Sequence, residues 1–383
     1  MNYRVAVVGI GWYGFRPVTS EVSYKEMVYQ AAVRAYADAG VDPRKDIESF
    51  VTVAEDFHEG TSIFDEYTPD QLGAALKPMQ TIAGDGLHGL ATGYMLIRTG
   101  QFDLVAVEGH SKASNILTHS DVTAYAQDPI FNRPLRLNTH FIAGLEMNRF
   151  LYETGSTREQ CAAVVVKNRR NALKNPSAPY GADLTVEEVL NSSPISWPLG
   201  KRETAESADG AVVMVLASER LANQLTDQPV WILGAGWCND SPSLENREWG
   251  RITYIEQAAR MAYKQAGINQ PQEVIDFAEV DDTYAYKELQ SLEALGLVYP
   301  GEAGELTEAG YTGSDGELPI NISGGSLGSG HLLDATGLAR ALEVVVQLRG
   351  QAGPRQLEEV HTGLAQSWRG VPTTSGAVLV FAN

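Results

Sequence analysis

The sequence predicts an α/β protein in which one fold occurs twice along the chain. Residues 5–12 (VAVVGIGW) and residues 230–237 (VWILGAGW) both have the pattern of a buried strand that ends in Gly-x-Gly-Trp. A helical pattern follows each strand and ends at a glycine, Gly40 in the first copy and Gly267 in the second. Glycine is the residue most often found just beyond a helix, where the backbone turns left-handed.

A second strand pattern recurs as well, at residues 47–53 and 274–280. The shift between the copies is nearly constant: 225 residues for the strand glycine (236 − 11) and 227 for the helix-ending glycine (267 − 40). We therefore expect two similar halves, residues 1–225 and 226–383. Strands that alternate with helices favour mostly parallel sheets, and two such sheets that share buried helices give a layered, duplicated α/β/α/β/α fold.

The alternation of strands and helices breaks between about residues 113 and 200, where proline and asparagine cluster. Capping boxes predict helix starts at Ser23 in the first half and at Ser156 and Thr185 in the irregular stretch. We interpret residues 113–200 as a loop domain inserted in the first half. Long insertions of this kind tend to cover binding sites.

Composition excludes several classes of function. The chain has 383 residues and is 44% hydrophobic, and its 29 basic and 48 acidic residues give a net charge of −19, which argues against nucleic-acid binding. No apolar run approaches the roughly 18 residues of a membrane span, and the start lacks a signal-peptide pattern. Cys161 and Cys238 form no disulfide framework, and the histidines show no metal-ligand spacing. We expect a cytoplasmic protein without a metal site, a nucleic-acid partner or a membrane span.

Two glycine patterns suggest nucleotide binding, and both are incomplete. Gly9-x-Gly11-x-x-Gly14 has dinucleotide spacing, but a proline intervenes before a helix can start, and the second copy has no third glycine. Residues 325–331 have P-loop spacing, but His331 stands where the phosphate-binding lysine is required. The sequence therefore predicts neither a bound dinucleotide nor bound ATP.

Residues 321–337 (NISGGSLGSGHLLDATG) form a glycine-rich loop that delivers His331 and then opens a helix. This loop resembles the GGxxxxGHPxGATG loop of the thiolase superfamily. Residues 279–302 resemble the HDCFT…EL…E.LGL…GEG stretch of sterol-carrier-type thiolases, and residues 206–213 and 97–112 resemble their DGA and I..G..D..L..G.EK segments. Because these segments occur in the right order over nearly the whole chain, the protein is identified as a member of this superfamily.

The resemblance implies a layered fold, a substrate class and partners. In thiolases the loop histidine helps to make or break carbon–carbon bonds in coenzyme A thioesters, and the inserted segment helps to hold coenzyme A. The expected ligand is thus a coenzyme A thioester as substrate, with no tightly bound cofactor. Thiolase resemblance also implies a homodimer, and sterol-carrier-type and cysteine-less relatives often work with a small zinc-ribbon/OB-fold (DUF35-type) subunit.

The nucleophilic cysteine of thiolases is missing from this chain. Its position in the family's CASG motif falls on Ala83, or on Gly84 after a slip of one residue, and neither residue can form an acyl-enzyme. The family's second cysteine is replaced as well. Residues 366–377, which include Gly370, resemble the GVPTSG ending of cysteine-less thiolase-like lipid-transfer proteins, among them the retro-aldolases of steroid side-chain breakdown.

A further departure lies at Asp281, where the sterol-carrier-type pattern has histidine, whereas Asp282 keeps the family's aspartate. The resembled retro-aldolases carry tyrosines at the positions held here by Asp281 and His331, so their tyrosine chemistry does not carry over. Cleaving a β-hydroxyacyl thioester between Cα and Cβ needs a base and a stabilised enolate oxygen, but no acyl-enzyme. We therefore hypothesise an aldol or retro-aldol enzyme acting on acyl-CoA.

In this hypothesis His331 donates to the thioester oxygen, Asp281 takes the hydroxyl proton, and backbone amides at the start of a helix hold the developing anion. A basic run in the inserted segment contacts the phosphates of coenzyme A. The predicted site comprises catalytic His331, Asp281 and Asp282; the elbow Ala83, Gly84, Asp85 and Gly86; the loop glycines Gly325, Gly330 and Gly370; and Lys167, Arg169 and Arg170 for coenzyme A.

Several alternatives remain open from the sequence. The chain can be a thiolase-type, acetyl-CoA acetyltransferase-like subunit whose nucleophile is unorthodox or comes from a partner, or a scaffold that kept the fold without activity. Asp281 can be structural, Asp85 and His88 can only cap and pack their helix, and the basic run can be a solvated helix face. The acyl group and the direction of the reaction do not follow from these patterns.

Overall fold

The computed structural model describes residues 4–55, 58, 63–116, 118–241 and 243–383. Within them the strands are β1 (Val5–Arg16), β2 (Ser49–Val53), β3 (Met79–Ile82), β4 (Leu104–Lys112), β5 (Pro194–Ser196), β6 (Leu199–Gly200), β7 (Asp209–Ser218), β8 (Val230–Asn239), β9 (Phe277–Glu279), β10 (Thr362–Trp368) and β11 (Ser375–Ala382). The α-helices are α1 (Tyr24–Ala39), α2 (Phe64–Tyr67), α3 (Pro69–Leu72), α4 (Gly86–Arg98), α5 (His119–Thr123), α6 (Thr139–Thr154), α7 (Arg158–Ala172), α8 (Val186–Leu190), α9 (Glu219–Leu225), α10 (Thr253–Ala266), α11 (Pro271–Val274), α12 (Ala285–Ala294), α13 (Ala303–Glu308), α14 (Gly325–Ser329) and α15 (Thr336–Leu348).

The sheet repeats one pattern of strand pairing on either side of the β1–β8 contact. Its order is β3-β2-β4-β7-β1-β8-β11-β10-β9, and β5 and β6 form a separate hairpin. On one side β1 runs antiparallel to β7, β7 antiparallel to β4, and β4 parallel to β2. On the other side β8 runs antiparallel to β11, β11 antiparallel to β10, and β10 parallel to β9. The duplication predicted from the sequence is therefore visible in the topology.

The sheet is mixed rather than mostly parallel as the sequence patterns had indicated. Among the described strands, parallel pairing is confined to β2 with β3, β2 with β4, and β9 with β10. One physical reason is the short connection between β10 and β11, residues 369–374, since parallel neighbours need a crossover of a dozen residues or more. The two half-sheets, which form the two β layers, are linked where β1 and β8 pair through residues 5–7 and 230–232.

The helices form the predicted layers. Helices α4 and α15 pack against each other and contact strands from both halves of the sheet, whereas α1 covers β1 and β7 and α10 covers β8 and β11. Alternate residues of β1 face different cores: Val5 and Val7 lie in the central core with α4 and α15, and Ala6 and Val8 pack beneath α1. This is the layered α/β/α/β/α architecture, with α4 and α15 buried in its middle.

The repeated Gly-x-Gly pairs bring the outer helices close to the sheet. A Cβ on Gly9 or Gly11 would lie 2.4 or 2.2 Å from a carbonyl oxygen of α1. In the second copy, a Cβ on Gly234 or Gly236 would lie 2.1 or 2.0 Å from a carbonyl oxygen of α10. These contacts explain why the pattern occurs twice, and they give the glycines a packing role without any nucleotide.

Most helix boundaries follow the predicted caps. Ser23 and Thr185 start their helices with complete capping boxes, and Gly40 and Gly267 are left-handed at the helix ends. The third box begins one residue later than predicted, at Thr157 instead of Ser156. There the Thr157 side chain accepts from the amide of the third helical residue at 3.2 Å, and that residue's side chain accepts from the Thr157 amide at 3.0 Å.

The stretch between β4 and β7 contains helices α5 to α8 and the β5–β6 hairpin, as expected for an inserted segment. The topological repeat passes from its first to its second copy between β7 and β8, at residues 219–229. No helix in the described ranges is long and apolar enough to cross a lipid bilayer.

Candidate active site

A cavity of about 400 Å³ lies where the two halves and the inserted segment meet. Its wall is formed by the start of α4, the turn that follows the glycine-rich loop, the β10–β11 connection and parts of α5 and α6. Four of the predicted site residues line it: Gly84, Asp85, His331 and Gly370. The other lining residues were not predicted from the sequence, and they include His58, His119, His140, Tyr284 and Asp334.

His331 is held in the cavity wall as a neutral hydrogen-bond donor. Its amide donates to the Glu206 carbonyl oxygen at 2.8 Å, and its own carbonyl accepts from Ala208 at 3.0 Å. The amide of Leu333 donates to Nδ1 at 3.3 Å, which assigns the ring proton to Nε2. Burial, helped by the neighbouring His119, lowers the pKa of His331 to about 3, so the imidazole is uncharged at neutral pH.

The glycines of the loop are required by its geometry. Gly325 and Gly330 have φ of +59° and +90°, in the left-handed region that favours glycine. A Cβ on Gly325 would lie 2.0 Å from a carboxylate oxygen of Asp282, and one on Gly330 would lie 2.5 Å from Ala208 Cβ. Gly370, in the β10–β11 connection, also has a left-handed φ of +96°.

Asp282 anchors the loop that carries His331. Its carboxylate accepts from the amides of Ser326 at 2.6 Å and Leu327 at 3.1 Å, at the start of α14, and from the side-chain amide of Asn168 at 2.9 Å. Burial raises the pKa of Asp282 to about 6, although the nearby Arg340 works in the opposite direction. The side chain lies behind the cavity wall, so the structure gives it a positioning role in place of the catalytic role predicted from the sequence.

Asp281 also lies behind the cavity wall. It is 1% exposed, its carboxylate is 2.9 Å from a guanidinium nitrogen of Arg340, and it accepts from the Thr283 amide at 3.0 Å. Burial acts to raise the pKa of Asp281, but the charge of Arg340 and the hydrogen bond from the Thr283 amide, with smaller contributions from other neighbours, together outweigh it and hold the pKa below its usual range. A buried, ion-paired carboxylate of lowered pKa is a poor proton acceptor, so the geometry does not support the predicted base.

The elbow joins the starts of the two central helices. The Asp85 carboxylate accepts from the Leu87 amide at 3.0 Å and from the Gly337 amide, at the start of α15, at 2.8 Å. The Ser367 hydroxyl donates to it as well, and burial raises the pKa of Asp85 to about 6. A Cβ on Gly337 would lie 1.9 Å from the Asp85 carboxylate, so only glycine permits this approach.

The structure distinguishes between the two positions proposed for the missing cysteine. Gly84 lines the cavity, whereas Ala83 is exposed and does not. The Asp85 amide donates to His88 Nδ1 at 3.4 Å. Among the described residues, no partner engages the amides of Gly84 and Gly86, which leaves both as donors at the helix start.

Neither cysteine lines this cavity. Cys161 is fully buried in α7, and burial raises the pKa of its thiol well above the ordinary value. Cys238 lies on β8, and burial raises the pKa of its thiol too. Its side chain packs against a hydrophobic core, whereas the next residue, Asn239, lines the cavity, because successive side chains of a strand point to opposite faces. The described wall therefore offers no thiolate.

Two hydrogen-bonded pairs that were not predicted from the sequence face the cavity. His58 Nδ1 lies 3.0 Å from Asp334 Oδ1, and the Tyr284 hydroxyl lies 3.2 Å from His140 Nδ1. A sequence signal existed for one member of each pair. Asp334 stands where the GHPxGATG pattern has its second glycine, and Tyr284 stands where the HDCFT pattern has phenylalanine. The two histidines lie in segments that match none of the family motifs.

The basic run is only partly exposed. Lys167 Nζ lies 3.0 Å from a carboxylate oxygen of buried Glu288 and donates to a backbone carbonyl at 2.8 Å. Arg169 donates to the Tyr180 carbonyl oxygen at 2.9 Å. Arg170 is exposed, with Asp183 as its ion-pair partner. The internal ion pair of Lys167 does not support its predicted contact with coenzyme A, and Arg170 is the exposed member of the run.

Comparisons with known proteins agree with this architecture. Residues 236–383 match the family model described as thiolase C-terminal domain-like. The chain is 32% identical to an acetyl-CoA acetyltransferase of Methanothermobacter thermautotrophicus, over 99% of both chains, and 30% identical to sterol carrier protein 2 of Bos taurus, over 93% of this chain and 68% of the relative. The solved structure of an Ltp2-ChsH2(DUF35) aldolase superposes with a TM-score of 0.85 at 26% identity, over 99% of this chain and 97% of that one. The protein belongs to the thiolase superfamily.

Proposed function

We propose that this protein makes or breaks a carbon–carbon bond in an acyl-CoA thioester by aldol or retro-aldol chemistry, without an acyl-cysteine intermediate. One observation carries the proposal: the cavity combines His331 and a helix-start elbow with a described wall that contains no thiol. Thiolysis needs a thiolate nucleophile, whereas retro-aldol cleavage needs only a base and a stabilised enolate. His331 and the helix-start elbow fit retro-aldol cleavage.

In the cleavage direction, a base removes the proton of the β-hydroxyl group. The Cα–Cβ bond breaks, its electron pair moves towards the thioester oxygen as an enolate, and the β-carbon leaves as an aldehyde or ketone. His331 donates from Nε2 to that oxygen, and the amide of Gly84, which lines the cavity, is a candidate for a further donor. An acid then protonates Cα. Loss of one such donor commonly lowers kcat by about 10²–10³-fold.

The substrate in this proposal is a coenzyme A thioester that is bound, converted and released, with no tightly held cofactor. The aldolase neighbour, the acetyltransferase relative and the fold all fit such a substrate. Within the basic run, Arg170 is the candidate for a phosphate contact, because its guanidinium is exposed. Lys167 and Arg169 have intramolecular partners that tie α7 to its surroundings.

A small DUF35-type subunit is the partner that we propose. The name of the neighbouring aldolase, Ltp2-ChsH2(DUF35), includes such a component, and the match to that aldolase covers 99% of this chain. A homodimer is the second assembly that we propose, on the strength of thiolase resemblance. Size-exclusion chromatography with light scattering, with and without a co-expressed DUF35 protein, tests both assemblies.

An acyltransferase is the second candidate function, because the relative that is 32% identical over nearly its whole length is an acetyl-CoA acetyltransferase. Since the described cavity wall has no thiol, this activity requires an unorthodox nucleophile on this chain or one from a partner. Intact-protein mass spectrometry after incubation with acetyl-CoA separates the candidates. The lyase proposal predicts an unmodified chain, and an added acetyl group on this chain would favour acyl transfer. A scaffold would bind a DUF35 partner yet convert neither 3-hydroxyacyl-CoA nor 3-ketoacyl-CoA.

A further inference from the structure

We propose that His58, oriented by Asp334, is the general base of this site. The inference rests on the proposed function, because it supplies the proton acceptor that cleavage of a 3-hydroxyacyl-CoA needs and that Asp281 does not provide. His58 Nδ1 and Asp334 Oδ1 are 3.0 Å apart, and the two side chains are only 8% and 7% exposed. Both line the cavity that contains His331.

The Asp334 carboxylate is fixed by a second contact. Its Oδ2 accepts from the Glu55 backbone amide at 2.8 Å, which leaves Oδ1 directed at His58. A carboxylate on Nδ1 keeps the ring proton there, makes Nε2 the basic nitrogen and stabilises the imidazolium that forms when Nε2 accepts a proton. Because the pair is buried, this stabilisation is less screened by water than at the surface.

Asp334 is not explained by the architecture of the loop. The GHPxGATG pattern has glycine at this position, so the carboxylate is an addition to that pattern. No thiol lines the described part of the cavity wall, although acyl transfer in thiolases needs one. An added carboxylate–imidazole pair suits a reaction that depends on proton transfer.

His119 positions His58 from the other side. The two rings stack with centroids 5.7 Å apart and an angle of 26°, and the His119 ring centroid is 6.5 Å from that of His331. Burial lowers the pKa of His119 to about 4, so it adds no positive charge that would oppose protonation of His58 at neutral pH. Among the described residues, the titratable groups near His58 include Asp334, His119, His331 and the Glu55–Arg369 ion pair.

His58 both removes and returns one proton during the cleavage. Nε2 of His58 takes the β-hydroxyl proton, the Cα–Cβ electron pair moves to the enolate that His331 stabilises, and the imidazolium returns its proton to Cα. The Tyr284–His140 pair also faces the cavity, but burial raises the pKa of the Tyr284 hydroxyl, which suits a donor rather than a base. The Asp85 carboxylate lines the cavity too, but it accepts from the amides of Leu87 and Gly337 and from the Ser367 hydroxyl. The base is therefore assigned to His58.

The test uses the full chain and a panel of 3-hydroxyacyl-CoA esters from short-chain to steroid-sized. His58→Gln should lower kcat by about 10²–10⁴-fold. His58→Gly should be equally slow and should regain activity when free imidazole is added. The matched control is His361→Gln, which replaces an exposed histidine remote from the cavity and should keep wild-type rates.

The pH dependence of kcat/KM in Asp334→Asn separates a positioning role from packing, because a side chain that only packs would not shift it. With the carboxylate gone, the imidazolium that forms during the reaction loses its stabilising negative charge. The acidic limb of kcat/KM should therefore move to lower pH by about 1–3 pH units, with a lower plateau. The inference is overturned if folded His58→Gln keeps a rate within a few-fold of wild type. It is also overturned if free imidazole fails to restore the activity of His58→Gly and the acidic limb of kcat/KM in Asp334→Asn lies at the same pH as in the wild type. A wild-type chain that cleaves no ester instead contradicts the proposed function itself.

Discussion

Asp282→Ala tests whether this carboxylate anchors the loop or acts on the substrate. The substitution removes the acceptor of two backbone amides at the start of α14, at 2.6 and 3.1 Å, and of the Asn168 side chain at 2.9 Å. Hydrogen bonds to a charged group contribute about 1.5–3 kcal/mol each, and Arg340 loses one of its two carboxylate neighbours. We expect the free energy of unfolding to fall by about 3–5 kcal/mol.

The assay is urea unfolding followed by circular dichroism, with kcat measured on the same preparations. Asp183→Ala is the matched control, since its exposed ion pair with Arg170 should change stability by less than about 1 kcal/mol. Because Asp282 holds the loop of His331, the variant should lose stability and activity together. An Asp282→Ala protein with wild-type stability and no activity would refute the anchoring role and restore the catalytic one.

Three further predictions concern individual contacts. Burial raises the pKa of Asp85 from an ordinary value near 3.8 to about 6 in the folded state, so folding takes up a proton between these values. The stability contributed by that proton is present below about pH 4 and is lost as the pH rises through 6. A plot of the unfolding free energy of Asp85→Asn against pH should lack this fall. Gly11→Val should lower the unfolding free energy by about 1–3 kcal/mol or more, because its Cβ would lie 2.2 Å from a carbonyl oxygen of α1. Arg170→Met should raise KM for the coenzyme A ester without changing kcat. Lys167→Met should instead destabilise the chain, because buried Glu288 would lose the cation that lies 3.0 Å from its carboxylate, and steady-state kinetics with thermal melts separate the two effects.

The duplicated layered fold could be predicted from the sequence because one packing constraint left the same residues in both copies. The sheet must approach α1 and α10 closely, so Gly9 and Gly11 recur as Gly234 and Gly236. The strand directions could not be predicted from the same patterns. A buried strand has the same hydrophobic pattern whether its neighbour runs parallel or antiparallel, and the order of strands depends on connections distant in the chain.

The candidate site could be predicted only where a loop motif fixes the geometry. His331 follows from the glycines that shape its loop, and the structure places it in the cavity. Asp281 and Asp282 are adjacent in sequence, and pattern alone could not show that both face inward, towards Arg340 and α14. His119 enters the cavity from the inserted segment, and its position depends on tertiary packing that periodicity does not encode.

The dependence of carbon–carbon cleavage on free coenzyme A distinguishes retro-aldol cleavage from thiolysis. Purified protein, alone and with a DUF35 subunit, is incubated with 3-hydroxyacyl-CoA and 3-ketoacyl-CoA esters at several concentrations of free coenzyme A, and the products are quantified by mass spectrometry. We expect a shortened acyl-CoA and an equal amount of aldehyde or ketone from the hydroxy esters, at a rate that needs no free coenzyme A and that is lost in His331→Ala. Cleavage of the keto esters that consumes one free coenzyme A per turnover would contradict the retro-aldol proposal and establish thiolysis.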